Sequence, residues 1–261
     1  MRGMNILQNP AVTGVAKSAF GFAVLIAIWQ FFGQISRVPE HILPLPSQIA
    51  EVFVRTFPSQ IHHLGATGFA TVAGLAMALV VGVLLALAVI YFTSIKGVVL
   101  TILAAFNSIP KIAIAPLFVI WFGLGMESKV LLAFLLALFP IFVNSVTGLG
   151  EIDKDMLDMS KLAGGNEWRI FSKVRLMNAL PYITDALKVS FPLALVGAIV
   201  GEFIGGNRGI GYLILSAQFN LDTALVFAAL LSITLFTTAG VGVVVLFEYL
   251  FLSWRPSQRT T

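Results

Sequence analysis

Six stretches of this chain are long and apolar enough to cross a lipid bilayer: 18–36, 64–92, 97–125, 130–150, about 189–207 and 223–247. A spanning helix needs about 20 mostly apolar residues. Four of the six carry no charge; 97–125 holds only Lys111, and 189–207 only Glu202. The composition points the same way. Of 261 residues, 58% are hydrophobic and 11% charged, against about 25% charged in an ordinary soluble domain, and the mean hydropathy is +0.96. A soluble domain and a disordered chain are both excluded. The expected fold class is all-α, a single polytopic membrane domain of six transmembrane helices over 1–261. No small-residue cleavage site precedes Arg37-Val38-Pro39-Glu40, so the first stretch reads as a retained span and not a signal peptide. The chain has no cysteine, which excludes disulfides, thiolate metal sites and a cysteine nucleophile.

Basic residues set the orientation. With the N-terminus in the cytoplasm, that side receives eleven: Arg2, Lys17, Lys96, Lys154, Lys161, Arg169, Lys173, Arg175, Lys188, Arg255 and Arg259. The other side receives four: Arg37, Arg55, Lys129 and Arg208. This is a positive-inside pattern and places both termini in the cytoplasm. The net charge of +4 belongs to these loops and gives no sign of a nucleic-acid partner.

With few charges to join the helices, small residues must let backbones approach. Gly74, Ala78, Gly82 and Ala86 recur every four residues in the second stretch, and Gly197, Gly201 and Gly205 in the fifth. Such stripes are packing seams, either within one bundle or against a second membrane subunit.

One connection is too long and too charged to be only a connection. Residues 151–188 hold 12 of the 28 charges, where loops usually run about 4–6 residues. Ile152, Met156, Met159 and Ala163 fall at helical spacing. Gly164-Gly165 supplies positive-φ positions to end that helix, and Asn166 is a good N-cap for the next. Glu167 suits its first turn. Trp168 and Phe171 share one face, Ile170 and Val174 another, and Pro181 is expected to close the excursion. The segment is either a helical hairpin folded back on the bundle or a docking surface for a cytoplasmic partner.

The run Asp158-Met159-Ser160, then Gly164, then Val174-Arg175-Leu176-Met177 resembles the E-A-A-(x)3-G-(x)9-I-x-L-P loop of permease subunits in binding-protein-dependent ABC importers. Asp158 stands for the glutamate, Met159-Ser160 for the alanines and Met177 for the proline; Gly164 and Leu176 agree. Leu43-Pro44-Leu45-Pro46-Ser47, Ile109-Pro110-Lys111-Ile112-Ala113, Trp121-Phe122-Gly123-Leu124-Gly125, Gly201-Glu202-Phe203 and Gly209-Ile210-Gly211-Tyr212 are similar to the nitrate/sulfonate/taurine-type branch.

The resemblance implies a type I ABC importer permease fold with its core at 60–252. It also implies a multi-pass protein of the bacterial plasma (inner) membrane that imports a small anionic or zwitterionic solute. The implied partners are a second permease chain, identical or sister, two ATP-binding cassette ATPase subunits, an extracytoplasmic solute-binding protein and membrane lipid. Residues 151–181 would be the cytoplasmic coupling loop, with Asp158, Ser160, Leu162, Ala163, Gly164, Asn166, Trp168 and Phe171 meeting the ATPase. A rigid hairpin can pass a rigid-body movement to the spans it joins.

No catalytic constellation is visible. The phosphate cradle G-x-x-x-x-G-K-[ST] is missing, so ATP hydrolysis is expected on another chain. No G-x-S-x-G occurs, and His41, His62 and His63 lie outside the predicted spans. The adjacent His62-His63 is a weak metal signal beside an interfacial polar pair, so no metal and no cofactor is expected. Lys111 and Glu202 are costly within spans, by about 2.5–3.5 kcal/mol for a charge at the helix centre, and need a partner or a cavity. Either they lock the bundle, pairing with each other or with backbone, or Lys111 attracts an anion in transit while Glu202 shapes a gate. Asn107, Ser108 and Asn144 are further polar wall candidates. The alternative function is a stand-alone secondary transporter or channel, for which inverted repeats and paired helix breaks are expected. Only one break, at Pro110, is visible.

Overall fold

The structure is a computed structural model that describes residues 10–36 and 38–252. Arg2, Arg37, Arg255 and Arg259, used above for orientation, lie outside the described residues. Helices, with no strand among the described residues, run in the order α1 (Pro10–Ser36), α2 (Pro46–Tyr91), α3 (Thr93–Ser108), α4 (Ala115–Phe122) and α5 (Met126–Gly150). They continue as α6 (Lys154–Leu162), α7 (Glu167–Ile170), a π turn (Phe171–Arg175), α8 (Leu176–Gly205), α9 (Ile210–Phe219) and α10 (Thr223–Phe251).

Five helices among the described residues are long and apolar enough to cross a membrane, where the sequence led to an expectation of six. The difference lies at 97–125, which is two shorter helices. Proline has no N–H to donate and pushes the residue before it out of the helical region. Accordingly Ile109 is extended at φ −73° and ψ 132°, and the chain turns through Ile109–Ile114 before α4 begins. Pro181 is a second correction. It lies inside α8 with Pro192 and does not end the hairpin. The Thr184 hydroxyl donates to the Pro181 carbonyl at 2.8 Å, and the irregular turn lies earlier, at Phe171–Arg175.

The chain divides into two compact units, one of residues 1–60 with 214–231, the other of 61–213 with 232–261. In the first, Val52, Ala224 and Ala228 are buried with Phe53 and Leu225 against them. The α2 start follows from its sequence: Pro46 takes the first helical position, and Gln48 Oε1 reaches back to accept from the Leu45 N–H at 2.7 Å. The Trp29 and Phe227 rings lie 5.6 Å apart. Leu221 closes α9 in the left-handed region at φ 56°.

In the second unit the core is built on α5. Ala133, Ala137 and Ile141 are buried with Ala78 of α2 and with Ala186, Ala194 and Ala198 of α8. The glycine stripes serve this packing. A Cβ on Gly82 would lie 2.9 Å from Ile141, and one on Gly197 would lie 2.6 Å from the Leu132 carbonyl. Both stripes are seams within the chain, packed against α5. Lys188 of α8 forms ion pairs with Asp185, at 3.0 Å, and with Glu248 of α10.

Candidate functional site

The charged connection is a hairpin with a defined tip. Asp153 caps α6 by accepting from the Asp155 N–H at 2.9 Å. At its other end Gly165 N–H donates to Ser160 O at 2.9 Å and Gly164 N–H to Lys161 O at 3.0 Å. These are the two bonds of a Schellman motif, which demands a left-handed residue between them. Gly164 supplies it at φ +77°. Asn166 then caps α7, its Oδ1 accepting from the Arg169 N–H at 2.9 Å. The Trp168 and Phe171 rings are 5.8 Å apart, and Ile170 is the buried anchor of the second limb. The first limb is exposed: Met156, Met159 and Leu162 face outward, Leu162 at 88%, and Trp168 across the tip is 72% exposed. Asp158, Ala163, Gly164 and Asn166 are also exposed, while Ser160 and Phe171 are half-buried. The Ser160 hydroxyl donates to Met156 O at 2.7 Å. Between Trp168, Phe171 and the α2 residues Leu87 and Tyr91 lies a groove of about 350 Å³.

The two charges expected within spans are not brought together. Lys111, in the turn after Pro110, donates through Nζ to Asn107 Oδ1 at 2.6 Å. The pair edges a cavity of about 200 Å³ whose other walls are apolar, among them Leu103 and Phe106 of α3 and Leu135 and Phe139 of α5. A cation here has an amide for its partner and no carboxylate among the described residues. Asn144 lies elsewhere in its bonding: its side-chain amide donates back to Pro140 O at 2.9 Å within α5. Ser108 likewise bonds its own helix, at Ala104 O.

Glu202 is 1% exposed and belongs to a different cluster. Its Oε1 accepts from the Thr67 hydroxyl and its Oε2 from the Gly211 N–H, each at 2.8 Å. Thr67 Oγ1 in turn accepts from the Ile210 N–H at 2.8 Å. His63 Nδ1, one helical turn before Thr67, accepts from the Gly209 N–H at 3.3 Å. Three successive N–H groups at the start of α9, orphans of any helix N-terminus, are thus capped from α2 and α8. Lys129, buried at the start of α5, holds the same loop through Arg208 O at 3.3 Å. Thr67 was missed from the sequence because nothing local marks it, and His63 and Lys129 read there only as part of an interfacial polar pair and as a loop charge; Glu202 was found by its cost, and its partner lies 135 residues away.

Within the Gly-rich run 205–211, Gly209 is the position with a positive φ. Gly209 sits at φ +118°, and a Cβ on it would overlap the Glu202 carboxyl group. Gly209→Ala is expected to destabilise the chain by at least about 1–2 kcal/mol, the cost of a left-handed L-residue, read as a lower thermal midpoint in detergent. An unchanged midpoint contradicts the cap.

Residues 78–252 match the family described as "Binding-protein-dependent transport system inner membrane component". The formylaminopyrimidine transport permease protein ThiX of Halalkalibacterium halodurans is 33% identical, over 91% of this chain and 95% of its own length. The riboflavin transport system permease protein RibX of Chloroflexus aurantiacus is 34% identical over 90% of this chain and 88% of its own. The taurine transport system permease protein TauC of Escherichia coli is 25% identical over 96% and 90% respectively.

Proposed function

Because the chain belongs to the family of binding-protein-dependent transport system inner membrane components, and is the permease subunit of an ABC importer, we propose that its hairpin at 151–175 is the surface that engages a separate ATPase. The observation that carries this is the tip. Leu162 and Trp168 stand almost free on either side of a rigid Schellman turn. Large apolar groups so displayed on a charged segment call for a covering partner. Two ATPase subunits, a second permease chain and an extracytoplasmic binding protein complete the assembly, and ATP is hydrolysed on the ATPase chains.

The orientation follows from the basic residues. The hairpin and both termini lie in the bacterial cytoplasm, and the 205–211 loop lies on the side of the binding protein. A protease confined to the cytoplasmic face is expected to cut within 151–175 and leave 205–211 intact. Cleavage of the hairpin from the outer face alone overturns this topology.

The solute is small and carries a negative group that passes Lys111. An ammonium at the edge of an apolar cavity is partly shielded from water, which strengthens its attraction for an anion. Sulfonates and taurine, named for relatives of this chain, have that chemistry. The ATPase assignment is tested by co-purification from native membranes. An ATPase of a separate chain at one-to-one ratio is expected, lost when Leu162 and Trp168 are both changed to serine. Solute transport by the isolated chain, with no ATPase bound, supports a secondary carrier instead.

A further inference from the structure

Helix α5 ends at Gly150 without the left-handed residue that closes many helices: the next residue, Glu151, sits at φ −84° and ψ 78°. Two of its last carbonyls, and that of Glu151, are taken up from the far limb of the hairpin. Arg175 Nη1 donates to Leu149 O at 2.9 Å. Asn178 Nδ2 donates to Gly148 O at 2.8 Å and to Glu151 O at 3.1 Å. Arg175 and Asn178 are three apart and so share a helix face. The π turn that ends at Arg175, closed by Leu176 N–H to Phe171 O, holds one residue more than an α turn and rotates that face relative to α7. Backbones touch at the same place: a Cβ on Gly148 would lie 2.8 Å from Ala179 Cα. Arg175 Nε is buried with no acceptor among the described residues. The guanidinium stands at the negative end of the α5 dipole.

We propose that Arg175 and Asn178 are positioning residues that clamp the base of the hairpin, so that a displacement of its tip moves α5 and α8 as one body. This rests on the reading of the hairpin as the ATPase-engaging surface and adds to it the means of transmission. Without the clamp, 25 residues of chain separate Leu149 from Arg175, and at the base of the hairpin only the packing of α5 on α8 would hold the two limbs together. With it, the load enters both together. What they carry makes this consequential. α5 supplies Leu135 and Phe139 to the cavity beside Lys111, and α8 carries Glu202, which caps α9. One rigid pair therefore joins the hairpin to both.

The chain has no native cysteine, so spin labels can be placed singly or in pairs in the assembled permease–ATPase complex. Labels at Val143 of α5 and Val189 of α8, both exposed, report the separation of the two helices, and a label at Leu162 reports contact of the hairpin with the ATPase. ATP with vanadate is the probe. In the otherwise unsubstituted complex the Val143–Val189 distance is expected to stay fixed when the probe is added. In Arg175→Met with Asn178→Leu it is expected to shift or broaden, while the Leu162 label stays immobilised by the ATPase. Arg175→Lys, which keeps a charged donor, is expected to restore the fixed distance when Asn178 is retained. A distance that stays fixed in the clamp variant, with Leu162 immobilised, overturns the clamp. A Leu162 label left mobile on adding the ATPase overturns the coupling reading on which it rests. Should the double variant fail to assemble, Asn178→Leu alone carries the same comparison.

Discussion

A Gly164→Val chain is expected to insert and fold but to capture its ATPase at least about tenfold more weakly than the unsubstituted chain. Space is not the reason, since a Cβ at this position meets nothing within 4 Å. The backbone is. At φ +77° an L-residue costs about 1–2 kcal/mol, and a β-branched one fits worst. The turn escapes the cost by leaving the left-handed region, which breaks the bonds from Gly164 and Gly165 to Lys161 and Ser160. Leu162 and Trp168 then no longer flank one fixed tip, and about 1.4 kcal/mol of lost binding is tenfold. Gly164→Asn, which tolerates that conformation better, is expected to retain most of the capture. Equal capture by the valine chain removes the turn from the coupling surface.

Lys111→Met is expected to lower uptake of the solute delivered by the binding protein at least about tenfold, with the complex assembled and hydrolysing ATP. Two unit charges at 4 Å attract by about 4 kcal/mol at an effective dielectric constant of 20, so losing the ammonium outweighs the gain of an apolar wall. Glu202→Gln is expected to do something different. It weakens the bonds to Thr67 and Gly211 and lowers the thermal midpoint, with a cost of about 1–3 kcal/mol for an impaired buried partner. Because Lys111 and Glu202 have separate hydrogen-bond partners, the double variant is expected to show the sum of the two effects. Recovery of stability in the double variant contradicts the separation.

Most of the fold is legible because lipid makes the chain declare itself. Charges gather toward the helix ends, so α5 and α10 begin and end within a few residues of the expected spans. The hairpin tip is legible for a local reason: Gly164, Gly165 and Asn166 each meet a demand of the adjacent backbone. The rest depends on partners distant in sequence. Pro110 and Pro181 look alike in a string of letters, yet the first breaks a helix and the second lies within one, where a π turn precedes it. Lys129 and Arg175 read as loop charges at the edges of spans. They are bound to backbone carbonyls of Arg208 and Leu149, which no local pattern announces. Glu202 announces a cost, and only the fold shows that Thr67 and the start of α9 meet it.

The account turns on whether the hairpin tip touches a separate ATPase. A single cysteine placed at Leu162 in the native cysteine-free sequence, with a second chain bearing its cysteine at Phe219 as the comparison, answers this directly. Both positions are exposed, at 88% and 85%. In membranes holding the assembled importer, a short thiol cross-linker is expected to join the Leu162 site to an ATPase subunit and the Phe219 site to none. Cross-linking of the ATPase through Phe219, with Leu162 left unreacted, contradicts the account.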